Sequence, residues 1–99
     1  MAQPGSGQAA GPQTVPITVS NDGTCSPEHA KAKSGDWIIW NGNPDDLHFP
    51  DDNPFDDGKN KKFKPNKKFK ISKARGKFIY NVITPSGATD PDIEIIPPP

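Results

Sequence analysis

Apolar residues along this chain recur at every second position, in short runs. Val15, Ile17 and Val19 alternate with Pro16 and Thr18, and Asn21-Asp22-Gly23 then gives a turn signal. Ala30 and Ala32 alternate with Lys31 and Lys33 before Ser34-Gly35-Asp36 turns the chain into Trp37-Ile38-Ile39-Trp40. That run is apolar on both faces, which predicts a central strand covered on both sides or one carrying a surface aromatic. Asn41-Gly42-Asn43-Pro44 breaks it. Leu47 and Phe49 mark a short strand, Phe63 another, and Phe69 and Ile71 alternate with Lys68, Lys70 and Ser72. Phe78, Tyr80 and Val82 predict one face of the next strand, and Ile93 and Ile95 one face of the last, with a polar loop over residues 83–90 between them. No segment spaces its apolar residues for a helix over three turns. Many short strands separated by Gly, Pro, Asn and Asp predict an all-β chain, folded as a small antiparallel sandwich or barrel.

Length and composition narrow this to one small domain of 99 residues with only 30% apolar residues. Residues 1–13 have no periodic apolar pattern and read as a flexible tail; residues 14–96 form the folded part, and residues 97–99 a short proline tail. The single cysteine, Cys25, excludes an intramolecular disulfide and a cysteine-based structural zinc site. No apolar run is long enough to span a membrane, and no signal peptide opens the chain. Localisation is cytoplasmic on that reading, or extracytoplasmic if Met1 begins a chain from which an export signal was trimmed. A monomer is expected.

The net charge of zero hides a lopsided distribution. Six of the 12 acidic residues fall in residues 45–57 and ten of the 12 basic ones in residues 59–77. A basic face would suit nucleic acid, anionic lipid or an acidic partner. The competing reading is a solvated edge strand, where Lys68 and Lys70 discourage edge-to-edge pairing and neighbouring acids neutralise the field. No groove-reading motif is present, so nucleic acid is not favoured. Phe63 and Phe69 would suit base stacking, but their phase fits core positions better.

Two motifs in order carry a family resemblance. The first is Ser34-Gly35-Asp36-Trp37-Ile38-Ile39-Trp40-Asn41, with His48 seven residues on; the second is Gly76-Lys77-Phe78-Ile79-Tyr80-Asn81-Val82, leading to Asp90-Pro91-Asp92-Ile93-Glu94-Ile95. Over about residues 15–96 the chain resembles the cupredoxins, the blue-copper β-sandwiches. The resemblance implies a Greek-key sandwich with Ile38 and Trp40 facing the core and Trp37 and Ile39 the other side. It places His48 near the first copper histidine and Val82 where the copper cysteine stands. A further histidine and a methionine should follow, but Thr84, Pro85, Ser86, Gly87, Ala88, Thr89 and Asp90 occupy that stretch. A blue site needs two imidazoles and a thiolate, usually with a weak axial thioether. The chain is therefore similar to a copper-free relative without a cofactor, like small bacterial cupredoxin-like proteins with a Pro-Phe segment (here Asn53-Pro54-Phe55) and a Thr-Asp-Pro lead into the last strand (Thr89-Asp90-Pro91).

Other chemistry is sparse. Asp45, Asp46, Asp51 and Asp52, with Asp56, Asp57 and His48, are the only metal-ligand candidates, for calcium through oxygen or for zinc or copper(II) through His48. Asp56-Asp57-Gly58 resembles part of an EF-hand loop, but Phe55 occupies a ligand position and no glutamate closes the loop. Solvated loop acids are the competing reading. Cys25 and His29, four residues apart, suggest a thiol–imidazole pair interrupted by Ser26-Pro27, and no nucleophile elbow or oxyanion donor is recognisable. The expectation is a non-catalytic interaction or accessory module with an unknown protein partner, using Trp37, Lys68 and Lys70. Metal binding or transport is the alternative, and a blue-copper electron carrier a distant third.

Overall fold

The computed structural model describes residues 11–97. Most of the expected N-terminal tail, and Pro98 and Pro99 of the proline tail, lie outside the described residues. Eleven strands follow one another: β1 (Thr14–Val19), β2 (Cys25–Ser26), β3 (His29–Lys33), β4 (Trp37–Asn41), β5 (Asp46–Phe49), β6 (Lys61–Phe63), β7 (Lys68–Lys70), β8 (Gly76–Ile79), β9 (Asn81–Thr84), β10 (Gly87–Thr89) and β11 (Asp92–Ile96). No helix occurs among the described residues.

The strands form three sheets, in the orders β2-β1-β4-β7, β3-β11-β8 and β10-β9-β5-β6. Pairing is mostly antiparallel. The exceptions are β1 with β4 and β3 with β11, which run parallel. Parallel neighbours need long connections, and here other strands fill them.

Residues 83–90 do not form the polar loop that the sequence suggests. Thr89 lies opposite Val82 and Asp92 opposite Ile79, so β8–β9 and β10–β11 keep one register from end to end. They make a single long hairpin whose turn is only Pro85-Ser86. Ile83 and Val82 supply the apolar partners that let Gly87, Ala88 and Thr89 extend without an apolar pattern of their own.

Side chains alternate across each strand, and the inward set builds one core. Ile17, Ile38, Trp40, Leu47, Phe49, Tyr80, Val82 and Ile93 are all 0% exposed. Trp40 sits at the centre, with the rings of Phe49, Phe55, Phe63, Phe69 and Tyr80 at centroid distances of 5.5–6.5 Å. Tilted and edge-on geometries dominate, the arrangement that aromatic quadrupoles favour. Phe63 and Phe69 pack against the core, as their phase in the sequence implied.

Candidate functional site

The outer face of the first sheet brings together all three residues expected to make contacts. In β4 the inward Ile38 and Trp40 leave Trp37 and Ile39 half-buried on the opposite side. Register sets Lys70 beside Trp37 and Lys68 beside Ile39, while Thr14 and Pro16 of β1 flank them on the other edge. Asn66, in the left-handed region with φ 63°, fixes this pairing. Its backbone N–H donates to the Trp40 carbonyl at 2.6 Å, and its side-chain amide donates to the Gly42 carbonyl at 3.0 Å.

Electrostatically, this face is one-sided. Its outward strand positions are Thr14, Pro16, Thr18, Ser26, Trp37, Ile39, Asn41, Lys68 and Lys70, with no carboxylate among them. The Lys68 Nζ lies 5.1 Å from the Trp37 ring centroid, a cation–π contact. Among the described residues neither Lys68 nor Lys70 has a carboxylate within ion-pair distance. The result is an apolar strip of Pro16, Ile39 and Trp37 bordered by two uncompensated cations.

The candidate metal ligands are placed differently. Asp46 accepts from the Lys64 Nζ at 2.8 Å, and that hydrogen bond holds its carboxyl below the usual range. Asp45 contributes backbone instead: its N–H donates to the Ile83 carbonyl and its carbonyl accepts from Lys64. Asp52 accepts from the Lys73 Nζ at 2.8 Å, which lowers the carboxyl and raises the ammonium. Asp57 is 3.6 Å from the same ammonium. Asp51 is exposed beside Asp52. His48 donates from Nε2 to the Asn60 Oδ1. Among the described residues no three His, Cys, Asp or Glu side chains converge as a metal site.

What organises the acidic loop is Asn53, which the sequence offers only as the first residue of the Asn53-Pro54-Phe55 segment. It is 0% exposed. Its Oδ1 accepts from the backbone N–H groups of Phe55 (2.8 Å) and Asp56 (2.9 Å). Its Nδ2 donates to the Asp56 Oδ1 (3.0 Å) and the Gly58 carbonyl (2.8 Å). All four capacities of the amide are used. Asp56 is consequently held below the usual carboxylate range, first by the Asn53 amide and then by the Gly58 N–H. The loop so formed delivers Phe55 to the Trp40 cluster.

Val82 and His48 lie on opposite faces of one sheet. Val82 sits opposite the buried Leu47, and His48, the next residue in β5, points the other way beside Asn81. Cys25 and His29 are likewise separated by their partners. Cys25 is buried, with its thiol near the Gly23 carbonyl and the Tyr80 hydroxyl, and burial pushes the thiol up, away from the reactive thiolate. The His29 Nδ1 donates to the Asp92 Oδ2 at 2.7 Å on the outer side of β3. Tyr80 in turn accepts from the Trp40 Nε1 at 3.1 Å, a buried polar chain inside the core.

Neither a protein-family model nor a curated protein sequence matches this chain.

Proposed function

We propose that this chain is a copper-free, cupredoxin-like Greek-key sandwich serving as a non-catalytic interaction module, which presents the outer face of its first sheet to an acidic protein partner. The observation that carries this reading is the carboxylate-free strip of Trp37 and Ile39 with Lys68 and Lys70 along its border. Aromatic residues are enriched at the centres of protein interfaces, where Trp contributes disproportionately. Positive potential then selects acidic partners and speeds their encounter.

The cupredoxin-like part of the reading draws support from the two sequence motifs, which fall on strands that meet in the core: Trp40 from the first donates its indole N–H to Tyr80 from the second. Redox chemistry has no comparable support. The position of the expected thiolate holds the buried Val82 within β9, the stretch after it is a hairpin with a two-residue turn, and His48 faces away.

The test is a titration of the isotope-labelled chain with a hexaglutamate peptide carrying one central tryptophan. Shifts should concentrate at the Trp37 indole and on β7, weaken with salt, and vanish in the Lys68→Glu/Lys70→Glu variant. Unchanged binding by that variant would sink the assignment.

A further inference from the structure

We propose a second binding site: the slot between β8 and Asp51-Asp52 takes an extended acidic peptide, which adds as a strand to the open edge of β8. The backbone argument comes first. Along the continuous strand from residue 76 to 84, the Tyr80 N–H donates to the Pro91 carbonyl, whereas the Ile83 carbonyl accepts from the Asp45 N–H on the other side. Backbone polar groups alternate in direction along a strand, so those of Lys77 and Ile79 point the same way as those of Ile83. β5 covers that side only opposite residues 81–83. The chain reaches Pro50 directly after β5, and proline has no N–H to continue a ladder. Among the described residues β8 pairs with β11 alone.

Where β5 leaves off, the two segments diverge around a cavity of about 360 Å³, with Asp51 and Asp52 on one wall and Arg75, Lys77 and Ile79 on the other. Phe78 also lines it. This is the lateral space that one more strand would occupy, since neighbouring strands sit about 4.8 Å apart.

Charge identifies the occupant. Across the outer face of the second sheet, Lys31, Glu94 and Lys77 form one row and His29, Asp92 and Ile79 the next. The first row alternates plus, minus, plus and stops at Lys77; the second ends on Ile79, which is 57% exposed. The strand that continues these rows places a carboxylate beside Lys77 and an apolar side chain beside Ile79, because opposite charges and apolar pairs stabilise directly opposed positions. For an antiparallel addition the pattern is apolar, any, acidic. The middle residue turns toward Asp51 and Asp52, so a small or basic one fits. A second copy joining through its other edge is disfavoured, since β3 would set His29, Lys31 and Lys33 against Lys77. The edge lysine thus repels basic strands, the protective role lysine has on open edges, and admits acidic ones.

The probe is acetyl-Val-Thr-Glu-Thr-Glu-amide, titrated into the full isotope-labelled chain. The Lys77 and Ile79 amide signals should shift and their hydrogen exchange should slow. Ile79→Pro removes one outward N–H at an edge position that tolerates proline, and should abolish binding. Lys77→Glu keeps the backbone and provides the control against misfolding: it should lose about fivefold affinity for the glutamate peptide, as expected of exposed charge pairs, and gain affinity for the same peptide with lysines in place of glutamates. Equal affinity of Lys77→Glu for both peptides would overturn the proposal. So would shifts confined to Trp37 and β7, or β8 shifts that grow with protein concentration alone, which would mean that a second copy occupies the edge.

Discussion

Asn53 is where a conservative change has the largest and most diagnostic effect. Its amide makes four hydrogen bonds from a fully buried position. In Asn53→Ala the Phe55 and Asp56 N–H groups lose their acceptor and the Gly58 carbonyl its donor. Each bond contributes about 1 kcal/mol net, and a buried group left unpaired costs about 1–3 kcal/mol, so the summed loss is about 2–4 kcal/mol after partial rehydration. A domain of this size is stable by only about 5–15 kcal/mol, so the change removes a large share. Phe55 should also loosen from the Trp40 cluster.

Asn53→Asp separates hydrogen bonding from volume. The carboxylate keeps both acceptor contacts but loses both donors, and it faces the Asp56 Oδ1 at the 3.0 Å now spanned by an N–H···O bond. Burial and the like charge of Asp56 raise the folded pKa of the new acid, and at a fully buried position 3.0 Å from a second carboxylate they outweigh the two retained N–H bonds, which lower it. The folded variant therefore binds more protons than the unfolded chain, and its stability is greatest below the unfolded pKa and falls as pH rises through the folded one. At neutral pH it should be less stable than Asn53→Ala; in acid it should approach the alanine variant or overtake it. The assay is urea unfolding followed by tryptophan emission at about pH 7 and about pH 4, near the ordinary carboxylate pKa. A penalty for Asn53→Asp that does not change with pH, or an Asn53→Ala loss under about 0.5 kcal/mol, the scatter expected of surface changes, would refute the reasoning.

Three further outcomes are expected. Tyr80→Phe strands the buried Trp40 indole N–H and should cost about 1–3 kcal/mol, measured by urea unfolding; the Trp40→Phe/Tyr80→Phe double variant should recover part of it. Gly42 sits at φ +147° with its absent Cβ aimed at the Val19 carbonyl oxygen, so Gly42→Ala should lower the melting temperature by several degrees, at a cost of about 1–3 kcal/mol. Val82→Cys with added copper should give no intense thiolate-to-copper absorption, because His48 lies on the opposite face of the sheet; a blue colour would show that the placement is wrong.

The wild-type chain has the opposite pH trend to Asn53→Asp. Asp22, Asp46, Asp52 and Asp56 are all held below the ordinary carboxylate range, by the Thr24 N–H, Lys64, Lys73 and Asn53 respectively. Groups lowered in this way stabilise the fold above their unfolded pKa and lose that contribution as pH falls through the folded values. Acid should therefore weaken the wild type, as read by unfolding midpoints measured downward from about pH 5.

Strand faces were legible because period-two alternation reports burial directly: Ile38 and Trp40 inward, Trp37 and Ile39 outward, Phe78, Tyr80 and Val82 on one side. Gly87-Ala88-Thr89 was not legible as a strand, since it extends by pairing with β9 and not by any pattern of its own. Asn53 and Phe55 were hidden for a different reason. An Asn-Pro step reads as a turn, and only the folded chain shows that the turn is buried and seats an aromatic ring. The charge blocks could be read as blocks but not as pairs. Lys64 with Asp46 and Lys73 with Asp52 join residues about twenty positions apart, which spacing alone does not reveal.

The central place of β11 has a consequence for how the chain comes off the ribosome. Its Ile93 and Ile95 join β3, made early, to β8, made late, and until residue 96 exists neither strand has its partner in the second sheet. Ala30 and Ala32, buried in the folded chain, lack their β11 partners until Ile93 and Ile95 have been made. Chains whose pairings close over long sequence separations fold slowly, and this one can complete its core only once its last strand has been made. The nascent chain carries its unpaired edges in the meantime, and the lysines along β3 and β8 keep such chains from joining one another.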